Sequence, residues 1–351
     1  MITEQGYLAD APQGIGVNSV AVWGDDFDGT GIGFIDLERG WTLAHQDLPR
    51  AVTQPQPMFN VNDPSDPDHG TAVLGIVLGR PGGAAGVNGI APNATFLGVV
   101  SRTAAVNVDE WDVVAAIAAA MDSLQAGDVL LIEVEMATGY PVEVDDAILT
   151  ALRLSAGNDI IVVEAAGNGT GFKGRDLDKV LRKTAASASE NNRLKGYPVR
   201  EADRTLDRDN GGALFIDSGA ILVSSCRSSV TSGHTHRRTG SGGFGSRVDC
   251  YAWGDGVATA GYGDYVGSAQ AKNKRYTDTF NGTSAAAAII AGAAILVQQM
   301  AERLTARRLT PTAMRALLST AKGTDVIGTQ DSKKIGVMPD LAALATHLSG
   351  A

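Results

Sequence analysis

Histidine and cysteine are scarce in this chain, at five and two of 351 residues. The cysteines, Cys226 and Cys250, are too few for a disulfide framework. Free thiols are expected, because the compartment reads as reducing. Aromatic residues make up only 5%, which argues against a binding surface of stacked rings. The N-terminus, "MITEQGYLADAPQG", lacks the basic start and apolar run of a signal peptide. The longest apolar candidate, Ala285 to Val297, is too short to cross a bilayer. A cytoplasmic protein is expected, or a secreted one if a leader preceded Met1. The net charge is −10, a field that attracts neither nucleic acid nor anionic lipid. Neither nucleic acid nor membrane is expected as a partner.

What is present is an apolar, glycine-rich chain: 44% hydrophobic, with 43 glycines. Strand-like segments are Gly29 to Glu38, Ala94 to Val100, Asp128 to Met136 and Asp159 to Asn168. Helical spacing fills the intervals at Thr71 to Gly79, Val108 to Gln125 and Val144 to Ser155. Strands alternating with helices of this length predict an α/β fold with a mostly parallel sheet. From Gly169 to Gly212 both charge signs crowd together, which reads as a surface excursion. "GALFIDSGAILVSS" reads as a strand pair, and His234 to Arg247 as a basic Gly-rich loop. Two further helices close the chain, at Thr310 to Thr320 and in "MPDLAALATHL".

The stretch "FNGTSAAAAIIAGAAILVQQ" turns at Asn281-Gly282 and enters a helix at Ser284. A serine there is either an N-cap or a nucleophile beside unpaired N–H groups, where an oxyanion is stabilised. Nucleophilic serine chemistry needs a base and a carboxylate to orient it. His69 begins an apolar helical run. Asp36 lies in a buried strand, at whose C-terminal end such sheets build their sites. Asn168, in "AAGNG", offers either an amide for an oxyanion or a left-handed turn residue.

In order and in local sequence these residues resemble the subtilisin-like serine proteases (subtilases). "GIGFIDLERGWTLAHQDL" is similar to that family's aspartate segment and "HGTAVLGIVLG" to its histidine segment. "GIAPNATFLGV", "VVEAAGNG", "VDCYAWG" and "NGTSAAAAIIAGAA" resemble the segments that follow. The likeness spans about Gly14 to Leu318. It implies a three-layer sandwich around a mostly parallel sheet, built as a single peptidase domain over 1–351 with insertions at about 170–212 and 231–247. It implies that Ser284 attacks the scissile carbonyl, His69 carries the proton, Asp36 orients His69, and Asn168 with the Ser284 N–H holds the oxyanion. No cofactor is required by that chemistry and no metal is assigned. Calcium often stabilises the family, and "NVNDPSDPDHG", Asn60 to Gly70, is its one candidate loop. Family members usually carry a prodomain, for which roughly the first dozen residues are too short.

The departures from the family pattern are specific. Leu37 and Glu38 follow Asp36 where a small hydroxyl and glycine are usual, Ala72 replaces a common histidine, and Ala288-Ile289 replace proline and histidine. The strand bordering the specificity pocket reads Glu133-Val134-Glu135, facing Glu164, Ala166 and Gly167. Residues two apart on a strand share a face, so Glu133 and Glu135 are expected to meet Glu164 around one pocket. Three such carboxylates predict cleavage after Arg or Lys. Alternatives are a structural role for the glutamates, an aminopeptidase-like preference, or an inactive relative that binds peptides or assembles. The charged segments Lys173 to Asn210 and His234 to Arg247 suggest protein contact, with a second copy or a polypeptide substrate.

Overall fold

The computed structural model describes residues 5–20, 27–49, 62–63, 66–80, 86–104, 107–171, 173–185, 189–231, 235–265, 271–319 and 334–350. Strands β1 (Gly33–Glu38), β2 (Thr95–Ser101), β5 (Val129–Ile132), β6 (Ile161–Ala165), β7 (Ile221–Thr231), β8 (Thr235–Arg238) and β9 (Cys250–Trp253) form one sheet. Its order is β2-β1-β5-β6-β7, with β8 and β9 both pairing to β7. All pairs are parallel except β7–β8. β1, β5, β6 and β9 are buried at every residue, as expected for parallel strands covered on both faces. Two hairpins lie outside the sheet: β3 (Thr103–Ala104) with β4 (Asn107–Trp111), and β10 (Val257–Ala260) with β11 (Tyr276–Phe280).

Helices α2 (Asp68–Leu78) and α6 (Gly282–Thr305) pack together on the sheet, and α3 (Val113–Met121) packs with α4 (Asp146–Gly157). α6 touches β5, β6, β7 and β9, whereas α3 touches β1 and β2 and α4 touches β6. The remaining helices are α1 (Val17–Val20), α5 (Ser189–Leu194), α7 (Pro311–Ser319) and α8 (Leu341–Ser349). One hydrophobic cluster runs through these layers, from Tyr7 to Ala345.

α6 is the axle of the core. Gly282 to Ala301 are all buried, because a surface of alanine and glycine lets neighbours approach closely. A Cβ at Gly292 would lie 2.7 Å from the Ile90 Cβ. By length and composition α6 could cross a membrane, yet its apolar span is wholly inside the protein.

Several elements differ from expectation. The first residues of the predicted helix at 108–125 form β4, and α3 starts only at Val113, capped by Asp112. β5 stops at Ile132, so Glu133 to Met136 leave the strand. The stretch at 212–225 is not a strand pair: Gly212–Leu214 is a 3-10 turn and only β7 follows. The basic loop contributes β8. Two of its charges turn inward, with Arg238 donating to the Gly242 carbonyl at 2.8 Å and Arg247 fully buried, while Arg237 stays exposed. Cys226 and Cys250 are buried free thiols. Their strands pair with Val223 opposite Cys250 and Cys226 opposite Trp253, which sets the two cysteines three positions apart.

Candidate active site

The site lies at the C-terminal ends of β1, β5 and β6 and at the N-termini of α2 and α6. Asp36 and Glu38 are two apart on β1 and share a face. His69 is the second residue of α2. A tight contact brings these elements together: a Cβ at Gly70 would lie 2.5 Å from the Gly40 carbonyl and 2.7 Å from the Trp41 ring. Thr71 ties the seam, accepting from the Thr42 N–H at 2.7 Å and donating to the Pro67 carbonyl.

Ser284 lies in the first turn of α6, just after Gly282, whose φ of +89° only glycine adopts without strain. The Asn168 Oδ1 accepts from the Thr283 N–H at 2.9 Å and from the Thr283 hydroxyl at 3.3 Å. This leaves the Asn168 NH₂ as the free-facing end of the amide. The Ser284 hydroxyl donates to the Glu133 carbonyl at 3.4 Å. His69, Asn168, Phe280, Gly282 and Ser284 line one crevice of about 490 Å³. The edge of the His69 ring packs against Phe280, centroids 5.4 Å apart. A second crevice of about 380 Å³, lined by Glu135, Met136, Arg102 and Trp111, shares His69, Asn168 and Ser284 with the first.

The carboxylate that meets His69 is Glu38. Its Oε2 pairs with the His69 Nδ1, and the Arg39 N–H donates to its Oε1 at 2.6 Å. The His69 side chain is 30% exposed and that of Glu38 6%, so the ring opens to the crevice and Glu38 stands behind it. Asp36, expected from the sequence to orient the ring, is fully buried and takes the Trp41 indole N–H on its Oδ2 at 2.7 Å. Its other neighbour is the Glu133 carboxyl. The expected Asp36–His69 hydrogen bond is therefore corrected to a Glu38–His69 pair. The longer side chain two positions further along β1 reaches the imidazole, and Trp41 occupies the Asp36 oxygen.

The charges follow from this packing. Burial raises the Glu38 carboxyl, but the His69 charge and hydrogen bond, with Arg102 nearby, hold it down at about 2. Burial lowers the His69 imidazole, and Glu38, then Asp36 and Asp66, outweigh it and raise it overall. Asp36 is pushed up to about 7, chiefly by burial, against hydrogen bonds from Glu133 and Trp41. Glu133 is raised well above the usual carboxylate range by burial and by the Asp36 and Glu38 charges. One atom each from Glu38, His69 and Glu133 lie within 4.8 Å of one another. His69 supplies the counter-charge in this cluster, and we assign no metal to it. Of the proposed calcium loop, positions 60–61 and 64–65 lie outside the described residues; within the rest Asp63 is paired with Arg39 at 2.7 Å.

The three glutamates expected around one pocket are not together. Glu133 faces Asp36 beneath the crevice. Glu164 is fully buried and accepts from the Glu143 N–H at 3.0 Å, in the neighbourhood of Arg247. Glu135 is the more open of the two that line the second crevice: it is half-buried, accepting from the Asn168 N–H and near the Arg175 charge. The shared-face argument fails because the strand ends at Ile132. Val134 lines the second crevice, while Ala166 is buried and Gly167 takes a φ of +83° beneath the Gly139 turn. The sequence reading missed Glu38; its replacement of a usual glycine beside the site was the available signal.

Among curated proteins, no sequence matches the chain. Solved structures with the same fold include a cold-adapted subtilisin-like serine proteinase, 19% identical, covering 91% of this chain and 93% of that one, with a TM-score of 0.56. A protease of Pseudoalteromonas arctica is 19% identical over 98% and 97% of the two chains, with a TM-score of 0.59. Fervidolysin of Fervidobacterium pennivorans, a keratinolytic enzyme related to subtilisin, is 19% identical over 91% of this chain and 43% of that one, also at 0.59. At these identities the likeness speaks for the fold. The Subtilase family matches residues 45–337, which include His69, Asn168 and Ser284 and begin after Asp36 and Glu38. The chain belongs to the subtilase family of serine peptidases.

Proposed function

We propose that the protein is a serine endopeptidase in which Ser284 is the nucleophile, His69 the general base and Asn168 an oxyanion donor. The observation that carries this reading is the meeting of the three side chains on one crevice, with the Asn168 amide oriented by Thr283. Ser284 adds to the scissile carbonyl as His69 takes its proton. The oxyanion meets the Asn168 NH₂ and the helix N–H groups, and the proton then passes to the leaving amine. Water releases the acyl group by the same steps in reverse order. A preference for Arg or Lys before the cleaved bond now rests on Glu135, the half-buried glutamate of a crevice wall in which Glu38 and Glu133 are buried. A desolvated carboxylate there favours a cationic side chain and penalises a neutral one.

One experiment covers both levels. The intact mass after fluorophosphonate treatment is expected to show a single adduct, absent in Ser284→Ala, whose cleavage of a blocked peptide library falls to near background. No adduct on well-folded wild-type protein refutes the peptidase reading. Equal cleavage after Leu, Phe and Arg refutes the basic preference and leaves the nucleophile intact.

A further inference from the structure

We propose that Glu38, rather than Asp36, is the positioning carboxylate of His69, and that Asp36 and Glu133 form a proton-sharing pair behind it. This rests on the peptidase reading above for its role in turnover, but the pairing itself is a property of the folded protein.

Three geometric observations carry it. First, the His69 Nδ1 is paired with Glu38, and the rear oxygen of Glu38 is fixed by the Arg39 N–H. A carboxylate anchored at one oxygen and bonded to Nδ1–H through the other sets both the tautomer and the tilt of the ring. Second, Asp36 already holds the Trp41 N–H on one oxygen, and among the described residues no N–H or hydroxyl donor reaches its other oxygen. Neither oxygen of the Glu133 side chain receives a donor either. Two buried carboxyls that face each other without a cation between them are satisfied by one proton held between them. Third, β1 puts Asp36 and Glu38 on one face, and residue 38 is the nearer to the strand end where α2 begins its approach. The family match starts only at His45, so it assigns no role to either carboxylate.

The chemistry balances without further reactants. When the Ser284 hydroxyl adds to a carbonyl, its proton moves to the His69 Nε2. The Nδ1–H stays bonded to ionised Glu38, and the new imidazolium is neutralised there. The proton between Asp36 and Glu133 does not leave the pair. It removes one negative charge from beneath the ring and keeps Glu38 as the anion that faces His69. The other charged groups around the ring are Asp66 and Glu135, and Arg102 and Tyr262 border Glu38.

The test compares Glu38→Gln, Glu38→Asp and Asp36→Asn in two readouts. The first is the His69 titration by ¹⁵N NMR of the whole protein, which needs no turnover. Its midpoint is expected to fall by about one pH unit or more in Glu38→Gln and by less than half as much in Asp36→Asn. Glu38→Asp, which keeps the charge, stays nearer the wild type and serves if the glutamine variant does not fold. The second readout is kcat/KM against pH. Glu38→Gln is expected to lose roughly 10³–10⁴-fold, mostly in kcat, as when the orienting carboxylate of a serine triad becomes an amide. Its alkaline-rising limb moves to lower pH, and Asp36→Asn loses at least tenfold less. A larger fall of the His69 midpoint in Asp36→Asn than in Glu38→Gln overturns the assignment. If the wild type neither cleaves peptides nor takes the fluorophosphonate, the peptidase reading fails, and the titration still decides which carboxylate holds the ring.

Discussion

At the scale of single residues, the buried acids define the behaviour with pH. His69, the base of the proposed mechanism, is raised above its ordinary value of about 6.5, so activity that depends on it is expected only as pH climbs past that raised midpoint. Glu133 acts on stability in the opposite direction with pH. An acid whose folded value is raised binds its proton more tightly when folded. Its stabilising contribution is full below the unfolded value, and it is lost as pH rises through the folded one. Glu133→Gln keeps a donor toward Asp36 and removes the titration. Its melting temperature should match the wild type near pH 4 and exceed it at pH 9. The gap should open to roughly 1–2 °C, about what 1 kcal/mol moves a domain of this length at ~2.1 cal/mol/K per residue. Melting curves that stay parallel from pH 4 to 9 would show that Glu133 does not titrate in the folded protein. Glu133 was legible in the sequence as an odd residue near the site, but its direction was not. Alternation along a strand predicts a shared face only while the strand lasts, and β5 ends one residue before Glu133.

At the scale of elements, the sequence spoke most clearly where one physical demand dominates. The alanine wall after Ser284 reads as a buried helix because nothing larger would let α6 lie against four strands. Gly292 is where that demand is sharpest. Alanine at this position improves helix propensity by about 1 kcal/mol, but its Cβ would stand 2.7 Å and 2.8 Å from the Ile90 Cβ and Cγ2. Both are rigid, branched atoms of a buried side chain, so overpacking wins. Gly292→Ala is expected to destabilise by about 1–3 kcal/mol while leaving turnover per folded molecule unchanged. Chemical denaturation checks the first part and active-site titration the second. A more stable Gly292→Ala would mean that Ile90 and its loop give way easily. By contrast, helical spacing at 108–112 was misread. The pattern there serves Trp111, which packs beneath Arg102 with the guanidinium 4.3 Å from its ring, and the backbone pairs as β4.

At the scale of the whole molecule, several charges in the segments 173–210 and 234–247 are tied back to the body of the protein, while others, Lys179, Arg182 and Arg237 among them, stay exposed. Arg193 pairs with Asp145 and Arg204 with Asp146, stitching the excursion after β6 back to α4. Arg247, expected in an exposed basic loop, bonds to Glu143 at 2.9 Å and Asp249 at 2.7 Å with all three side chains buried. The sequence could not reveal this, since the partners lie 104 and 2 positions away. Arg247→Met leaves the buried Glu143 without its cation, while Asp249 keeps Arg208 at 2.7 Å, and should cost about 3–5 kcal/mol. A loss below 1 kcal/mol in equilibrium unfolding would mean that water or another cation replaces the guanidinium.

The placement of Ser284 at the head of a helix buried through Ala301 has a consequence for how the protein fails. The amides of the helix behind it can exchange with solvent only when the central packing itself opens, so the element that carries Ser284 shares the protection of the deepest cooperative unit. There is then no frayed but folded state in which the serine wanders from the histidine. Heat removes reactivity and structure in the same event, and that event uncovers the largely apolar stretch from Gly282 to Ala301, which promotes aggregation before refolding. For such a molecule the lifetime at temperature is governed by the barrier to global unfolding.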